Sequence, residues 1–302
     1  MFSSIAIVGA GAVGSYYGAR LARGGANVRF LMRRDLAHVR AHGLRVTLPD
    51  SEFTLRPVPA FGRSEEIGPV DLVVIGLKAT ANSRLEKLVP PLVHPATAIL
   101  NLQNGLGVDE QIAQKFGAER VMGGLCFICL NRTAPGEITC RLPGSIAIGE
   151  FQGPPTDRAR SVVALFEKGG VKASLAENLD ETRWRKLVWN VPFNGLAIAA
   201  GGATTDRIID DPALRAEARG LMEEIIAAAA KFGHVILPEF IDRQFELTAQ
   251  MGPYQPSSLI DWREGREVEV EAIWGEPLRR ARAAGAATPR LAHLYAQLKR
   301  LT

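Results

Sequence analysis

Six residues near the amino terminus, Gly9-Ala10-Gly11-Ala12-Val13-Gly14, have the types and spacing that suit phosphate binding. They form the pattern G-x-G-x-x-G. A short β-branched run at 5–8 precedes them, and residues 13–23 follow with helical spacing until Gly24-Gly25 stops it. In that order of strand, loop and helix, Gly9 permits a tight turn, Gly11 lets the backbone approach a pyrophosphate, and Gly14 lets helix and strand pack closely. The helix start offers unpaired N–H groups and the positive end of its dipole to the phosphates. A plain Gly-rich turn is the alternative, and the surrounding elements favour a dinucleotide. A second strand at 28–32 ends in Arg33-Arg34, where an NAD-binding chain usually carries an acid for the ribose 2′-hydroxyl. Two guanidinium groups suit a 2′-phosphate by charge and by bidentate geometry, so the sequence favours NADP over NAD. Asp35 comes too late for the acidic role and reads as a cap for the next helix.

A second constellation lies in the later half. Lys186, Asn190 and Asn194 are spaced four apart, so on one helix they share a face. A cation with two amides on one stripe can cradle a carboxylate and hydroxyls; three polar groups on a solvated face is the plainer reading. Pro192 inside the same stretch predicts a kink that would re-aim Asn194. Trp189 and Phe193 lie beside the stripe, as walls of a site or as packing. Lys78 follows the apolar run 72–77, and Asn104-Gly105 follows the run 98–102. Both stand at the carboxyl ends of strands, where ligands bind in open α/β sheets. Asn104-Gly105 reads equally well as a tight turn.

The elements needed to position these groups follow from periodicity. Short apolar runs at 5–8, 28–32, 72–77 and 98–102 alternate with helical patterns, which implies βαβ units and a mostly parallel sheet. Residues 120–131 and 145–148 read as further strands. From Asn178 onward the pattern is helical nearly throughout. Asn178 with Glu181 forms a capping box, Asp211-Pro212 and Thr288-Pro289 mark helix starts, and Gly233 ends a helix. The expected organisation is an α/β Rossmann-type domain over 1–175 and an all-α domain over 176–302. No run reaches the ~18 apolar residues needed to cross a bilayer. At 47% apolar and 23% charged residues the chain is not a disordered one. The net charge of +4 is interspersed, with no block that would mark a nucleic-acid tail. Three cysteines make no disulfide framework, and the chain shows no signal peptide, so a cytoplasmic setting is expected.

At this point the sequence resembles the ketopantoate reductase (2-dehydropantoate 2-reductase) family. The resemblance is carried by residues 9–21, Arg33, Leu77-Lys78 and Gln103-Asn104-Gly105-Leu106-Gly107 in the first half. In the second half it is carried by Trp184-Arg185-Lys186-Leu187, Asn190, Asn194, Ser257-Ser258, and Glu269 before Gly275. It runs from residue 5 to about 290. It implies a Rossmann-type domain followed by an all-α domain like the carboxyl-terminal domain of 6-phosphogluconate dehydrogenase. It also implies reduction of 2-dehydropantoate to (R)-pantoate with NADPH, a step towards pantothenate. By the same resemblance Lys186 is the proton donor and a substrate contact, and Glu269 its partner and a ribose contact. Lys78 then touches the cofactor, Asn104 touches cofactor and substrate, and Asn190, Asn194 and Ser258 hold substrate. Chemically, an ammonium near a ketone can polarise it and then give up a proton. Taken without the resemblance, Lys186 is a surface lysine in a basic stretch, and Ser258 sits beside a helix cap that Ser257 supplies.

Some positions depart from the family pattern. Thr204 stands near a substrate-binding asparagine, Trp274 replaces the asparagine before Gly275, and the flanks 198–202 and Pro277 differ. These departures bear on the substrate more than on the reaction. Reduction of another 2-oxo acid or related ketone is therefore the first alternative, and a non-catalytic NADP(H)-binding sensor the second. The expected partner is a small-molecule 2-oxo acid, with no nucleic acid and no membrane, and with a homodimer allowed. No metal is expected. Cys126-Phe127-Ile128-Cys129 is a C-x-x-C string, but apolar residues fill it and no further ligands accompany it. His38, His42, His94, His234 and His293 are scattered, which favours a lysine over a histidine mechanism.

Overall fold

The computed structural model describes residues 2–302. The chain opens with β1 (Ser4–Val8), α1 (Ala12–Arg23), β2 (Asn27–Leu31), α2 (Leu36–His42), β3 (Leu44–Leu48), β4 (Ser51–Leu55) and β5 (Ala60–Phe61). It continues through β6 (Leu72–Ile75), α3 (Leu85–Leu88), β7 (Ala98–Asn101), α4 (Val108–Phe116), β8 (Val121–Ala134), β9 (Glu137–Glu150), α5 (Asp157–Lys168) and β10 (Ala173–Leu175). From there it is helical: α6 (Leu179–Ala199), α7 (Thr205–Asp210), α8 (Pro212–Ala230), α9 (Glu239–Ala249), α10 (Ser257–Arg263), α11 (Glu276–Ala283) and α12 (Pro289–Leu301). Two compact units emerge. The first holds residues up to Gln103 and Val108–Leu179; the second holds Asn104–Gly107 and Asp180–Thr302.

The first unit is a Rossmann-type α/β fold around one mostly parallel sheet of order β4-β3-β9-β8-β7-β6-β1-β2-β5, with β10 beside β9. Among the described residues, only β3/β4 and β8/β9 pair antiparallel. The central strands are apolar on both faces because both faces are covered. Ile5, Ile7, Leu72, Val74 and Leu100 point to one core, and Ala6, Val8, Val73, Ile75 and Ile99 point to the other. This alternation fixes register, since a one-residue slip would send every side chain to the wrong face. The runs at 120–131 and 145–148 are parts of one long hairpin, β8 and β9, fourteen residues each. Cys126, Cys129 and Cys140 lie buried in this hairpin and are not joined by disulfides. Burial pushes the Cys140 thiol up to about 11. The β3/β4 hairpin around Pro49-Asp50 carries no counterpart in the periodicity reading.

The second unit is a set of helices around a core that includes Trp184, Leu187, Phe193, Leu221, Ile225 and Trp274. Asp211 caps α8 as expected, its Oδ1 accepting from the Ala213 and Leu214 amides, with Pro212 in the first turn. Helix α6 does not end at Pro192; it continues to Ala199. Trp274 is fully buried in this core, and its Nε1 donates to the Val191 carbonyl at 2.9 Å. A Cβ at Gly195 would stand 2.9 Å from that nitrogen, so α6 carries a glycine where the indole lies against it.

Candidate active site

The glycine loop between β1 and α1 gives each glycine a different duty. Gly9 has φ +94°, and a Cβ there would lie 2.6 Å from the Leu77 amide nitrogen. A Cβ at Gly14 would lie 2.2 Å from the Gly9 carbonyl oxygen, so the turn and the helix can approach only without side chains. Gly11 is the opposite case: it is exposed, and nothing lies within 4 Å of where a Cβ would be. It is also the N-cap of α1, where no side chain caps the helix and no acid sits in the first turn. Open space over uncapped amides is what a pyrophosphate requires, and Ala10, Ala12 and Val13 complete the loop without obstructing it. These residues fit a dinucleotide.

Arg33 and Arg34 are exposed just past β2. Asp35 does not cap α2 through its side chain. Its carboxylate instead accepts two bonds from Arg132 Nη1, at 2.9 and 3.1 Å, and one from the Gly136 amide at 3.3 Å. The acid next to the two arginines in sequence is thus paired with another cation, which corrects the reading of Asp35 as a helix cap. Lys78 is half-buried after β6, at the N-cap position of a short 3₁₀ turn.

In the helical unit, Lys186 Nζ donates to Asn104 Oδ1 at 2.8 Å. Residues 82 positions apart in sequence meet here, one from α6 and one from the loop that leaves β7. A hydrogen bond from a charged donor is worth about 1.5–3 kcal/mol, enough to orient the ammonium. Lys186 and Asn104 are half-buried, whereas Asn190 and Asn194 on the same stripe are buried. The stripe is therefore not a solvated face. Asn194 Oδ1 accepts from the Ser258 amide at 3.0 Å. Two residues expected to hold substrate thus bond to each other. Asn194, and not Ser257, satisfies the start of α10, in which Ser257 is already the first residue. Glu269 is buried immediately before the turn that leads into α11. Thr204 sits at the N-cap of α7 with its hydroxyl on the Asp206 carboxylate.

The sequence matches the family description Ketopantoate reductase PanE/ApbA over residues 5–153, and its carboxyl-terminal counterpart over residues 178–302. The chain belongs to the ketopantoate reductase family. Among its relatives is a 2-dehydropantoate 2-reductase of Nostoc sp., 40% identical over 97% of this chain and 93% of that protein. The crystal structure of 2-dehydropantoate 2-reductase from Geobacter metallireducens GS-15 superposes with a TM-score of 0.96 at 44% identity, over 99% of this chain and 100% of that one. A D-mandelate dehydrogenase structure shares the fold, with a TM-score of 0.91 at 23% identity over 99% of this chain and 98% of that one.

Within this ketopantoate reductase fold, several positioning groups escaped the sequence reading. Arg183 is buried one turn before Lys186, and its Nη1 donates to the Gly105 carbonyl at 3.3 Å. Gln103 Nε2 donates to Asn82 Oδ1 at 2.6 Å, and Asn82 Nδ2 to Gln111 Oε1 at 2.8 Å. Asn101 Nδ2 donates to Asp109 Oδ1 at 2.8 Å. These amides, buried at Asn82, Asn101 and Gln103, tie the carboxyl end of β7 to the start of α4. The available signal was the cluster of Asn and Gln at a strand end, since buried amides demand partners.

Proposed function

We propose that this protein reduces 2-dehydropantoate to (R)-pantoate with NADPH. The observation that carries the reading is the half-buried Lys186 ammonium held on Asn104. When bound, NADPH supplies the hydride to the substrate's ketone carbon. The glycine loop, residues 9–14, holds the pyrophosphate on the α1 amides, and Arg33 with Arg34 holds the 2′-phosphate. Lys78 adds a cation at the end of β6. Lys186 Nζ polarises the ketone oxygen and passes it a proton as negative charge develops, so hydride and proton together give the alcohol. Asn104 orients that ammonium. Asn190 and Ser258 hold the carboxylate and hydroxyl of the substrate, and Asn194 fixes Ser258. Glu269 supplies the carboxylate that replenishes or tunes the lysine's proton and bonds the ribose.

A different 2-oxo acid is the second reading. It is favoured by the departures at Thr204, whose hydroxyl is engaged with Asp206, and at Trp274, whose indole is buried against the Val191 carbonyl. The proposal extends to a cytoplasmic, reducing setting, supported by three cysteines that form no disulfide. The test is NADPH oxidation with 2-dehydropantoate beside a panel of branched and aromatic 2-oxo acids. A kcat/KM for 2-dehydropantoate at least about tenfold above the rest supports the named substrate, a difference of ~1.4 kcal/mol in transition-state binding. A higher value for another acid replaces it, and tight NADPH binding without any turnover sinks the enzyme reading.

A further inference from the structure

Pro277 departs from the family pattern, and its chemistry reaches the Lys186–Asn104 pair through the backbone. In an ordinary α-helix its ring would clash with the carbonyl four residues earlier, that of Ile273, and it offers that carbonyl no N–H. The structure resolves the conflict with a wider turn: Glu271–Gly275 is π-helical, and the Glu276 amide bonds to the Glu271 carbonyl, five residues back. In this register the next donor, for the Ala272 carbonyl, would be the nitrogen of residue 277, which is a proline and has no hydrogen. In that register the helix offers the carbonyl of the buried Ala272 no further donor of its own. The Leu106 amide fills the gap at 2.9 Å.

That single bond anchors the loop that carries Asn104. Gly105 has φ +91°, and a Cβ there would lie 2.2 Å from the Ala272 oxygen, so the loop lies hard against the π-turn. Leu106 is buried in the helical core, and Arg183 Nη1 donates to the Gly105 carbonyl. Asn104 is the residue immediately before this clamp.

We propose that Pro277 is a positioning residue: by holding the π-turn open it leaves the Ala272 carbonyl for Leu106, and so sets Asn104 against Lys186. The inference rests on the reading of Lys186 as proton donor. Pro277→Ala restores an N–H, lets the turn relax to α-helical register, and returns the Glu276 amide to the Ala272 carbonyl. Leu106 then shares its acceptor with a helical donor, and its bond weakens.

The experiment measures amide hydrogen exchange at Leu106 and the side-chain amide resonances of Asn104 by NMR, together with steady-state kinetics. Pro289→Ala is the control, because a proline in the first turn of a helix replaces an N–H that has no partner in any case. In Pro277→Ala we expect Leu106 exchange to rise by about tenfold or more as the anchoring bond opens. The Asn104 resonances shift, and kcat falls about tenfold with KM for NADPH unchanged, as befits a displaced proton-donor partner. Unchanged exchange at Leu106 overturns the proposal. So does an equal rise in Pro289→Ala, or a rise accompanied by unmoved Asn104 resonances and wild-type kcat. Should the wild type turn over no oxo acid at all, the functional reading fails by itself, while exchange and resonance shifts still decide whether Pro277 positions Asn104.

Discussion

Replacing Gly105 by alanine puts a methyl group where the fold has no room for one. The new Cβ would stand 2.2 Å from the Ala272 carbonyl oxygen, 2.4 Å from its carbon and 2.7 Å from its Cβ. Ordinary contact between such atoms begins near about 3.2 Å, so loop or turn must retreat by roughly 1 Å. Neither has slack: Leu106 is buried in the core, and the π-turn is packed through Ile273 and Trp274. The retreat falls on Asn104, whose bond to Lys186 Nζ at 2.8 Å would open to roughly 3.8 Å, beyond hydrogen-bonding reach. A misplacement of that size near the reacting atoms costs up to about 10²-fold in rate. The φ of +91° adds a backbone cost of about 1–3 kcal/mol for any residue with a Cβ. Gly285→Ala isolates that second cost, since Gly285 has φ +70° and nothing within 4 Å of its Cβ position. Steady-state kinetics with thermal melts on both variants is the assay. Both should melt lower; only Gly105→Ala should lose kcat, by about 30- to 100-fold. A Gly105→Ala enzyme within threefold of wild-type kcat refutes the argument, as does an equal loss in Gly285→Ala.

Three further outcomes follow from the same geometry. Lys186→Met should lower kcat by about 10²–10⁴ while NADPH titration by fluorescence is unchanged; a loss under tenfold would remove Lys186 as the proton donor. Arg33→Ala should raise KM for NADPH and leave KM for NADH alone, changing the preference by about tenfold or more, the worth of one charge-assisted bond; an unchanged ratio would place the 2′-phosphate elsewhere. The Asp71 carboxyl is held well below the usual carboxylate range, chiefly by the Ser3 hydroxyl and then by the Ser3 and Ser4 amides. A depressed folded-state pKa contributes stability above the unfolded value and loses it as pH falls through and below that value. Wild type should therefore lose more urea resistance than Asp71→Asn between about pH 6 and about pH 3; parallel losses would show that this carboxylate contributes nothing.

The parts legible in the sequence are those where one local requirement leaves one residue type. The loop at 9–14 is readable because only glycine tolerates a Gly9 turn against Leu77 and a Gly14 contact on the Gly9 carbonyl. The central strands are readable because burial on both faces leaves unbroken apolar runs. The β3/β4 hairpin was not readable: its outer strand alternates weakly, with Ser51, Glu52 and Thr54 exposed. Half of β9 was missed for a similar reason, since Arg141–Gly144 are exposed and include Pro143. The contact of Lys186 with Asn104 has no local signature, because nothing in either stretch states which distant residue it meets; resemblance supplied the pairing of roles, and folding supplies the bond. Asp35 was misread because a cap and an ion-pair partner use the same residue type, and only the fold brings Arg132 to it.

The chain crosses between its two units at three points, 103/104, 107/108 and 179/180. Four residues of one unit are thus lent out from the middle of the other. A gene cut at the obvious border near 175–180 would separate Lys186 from Asn104 and strip the helical part of Leu106, which belongs to its core. Either half produced alone would therefore lack one partner of the bond that orients the lysine.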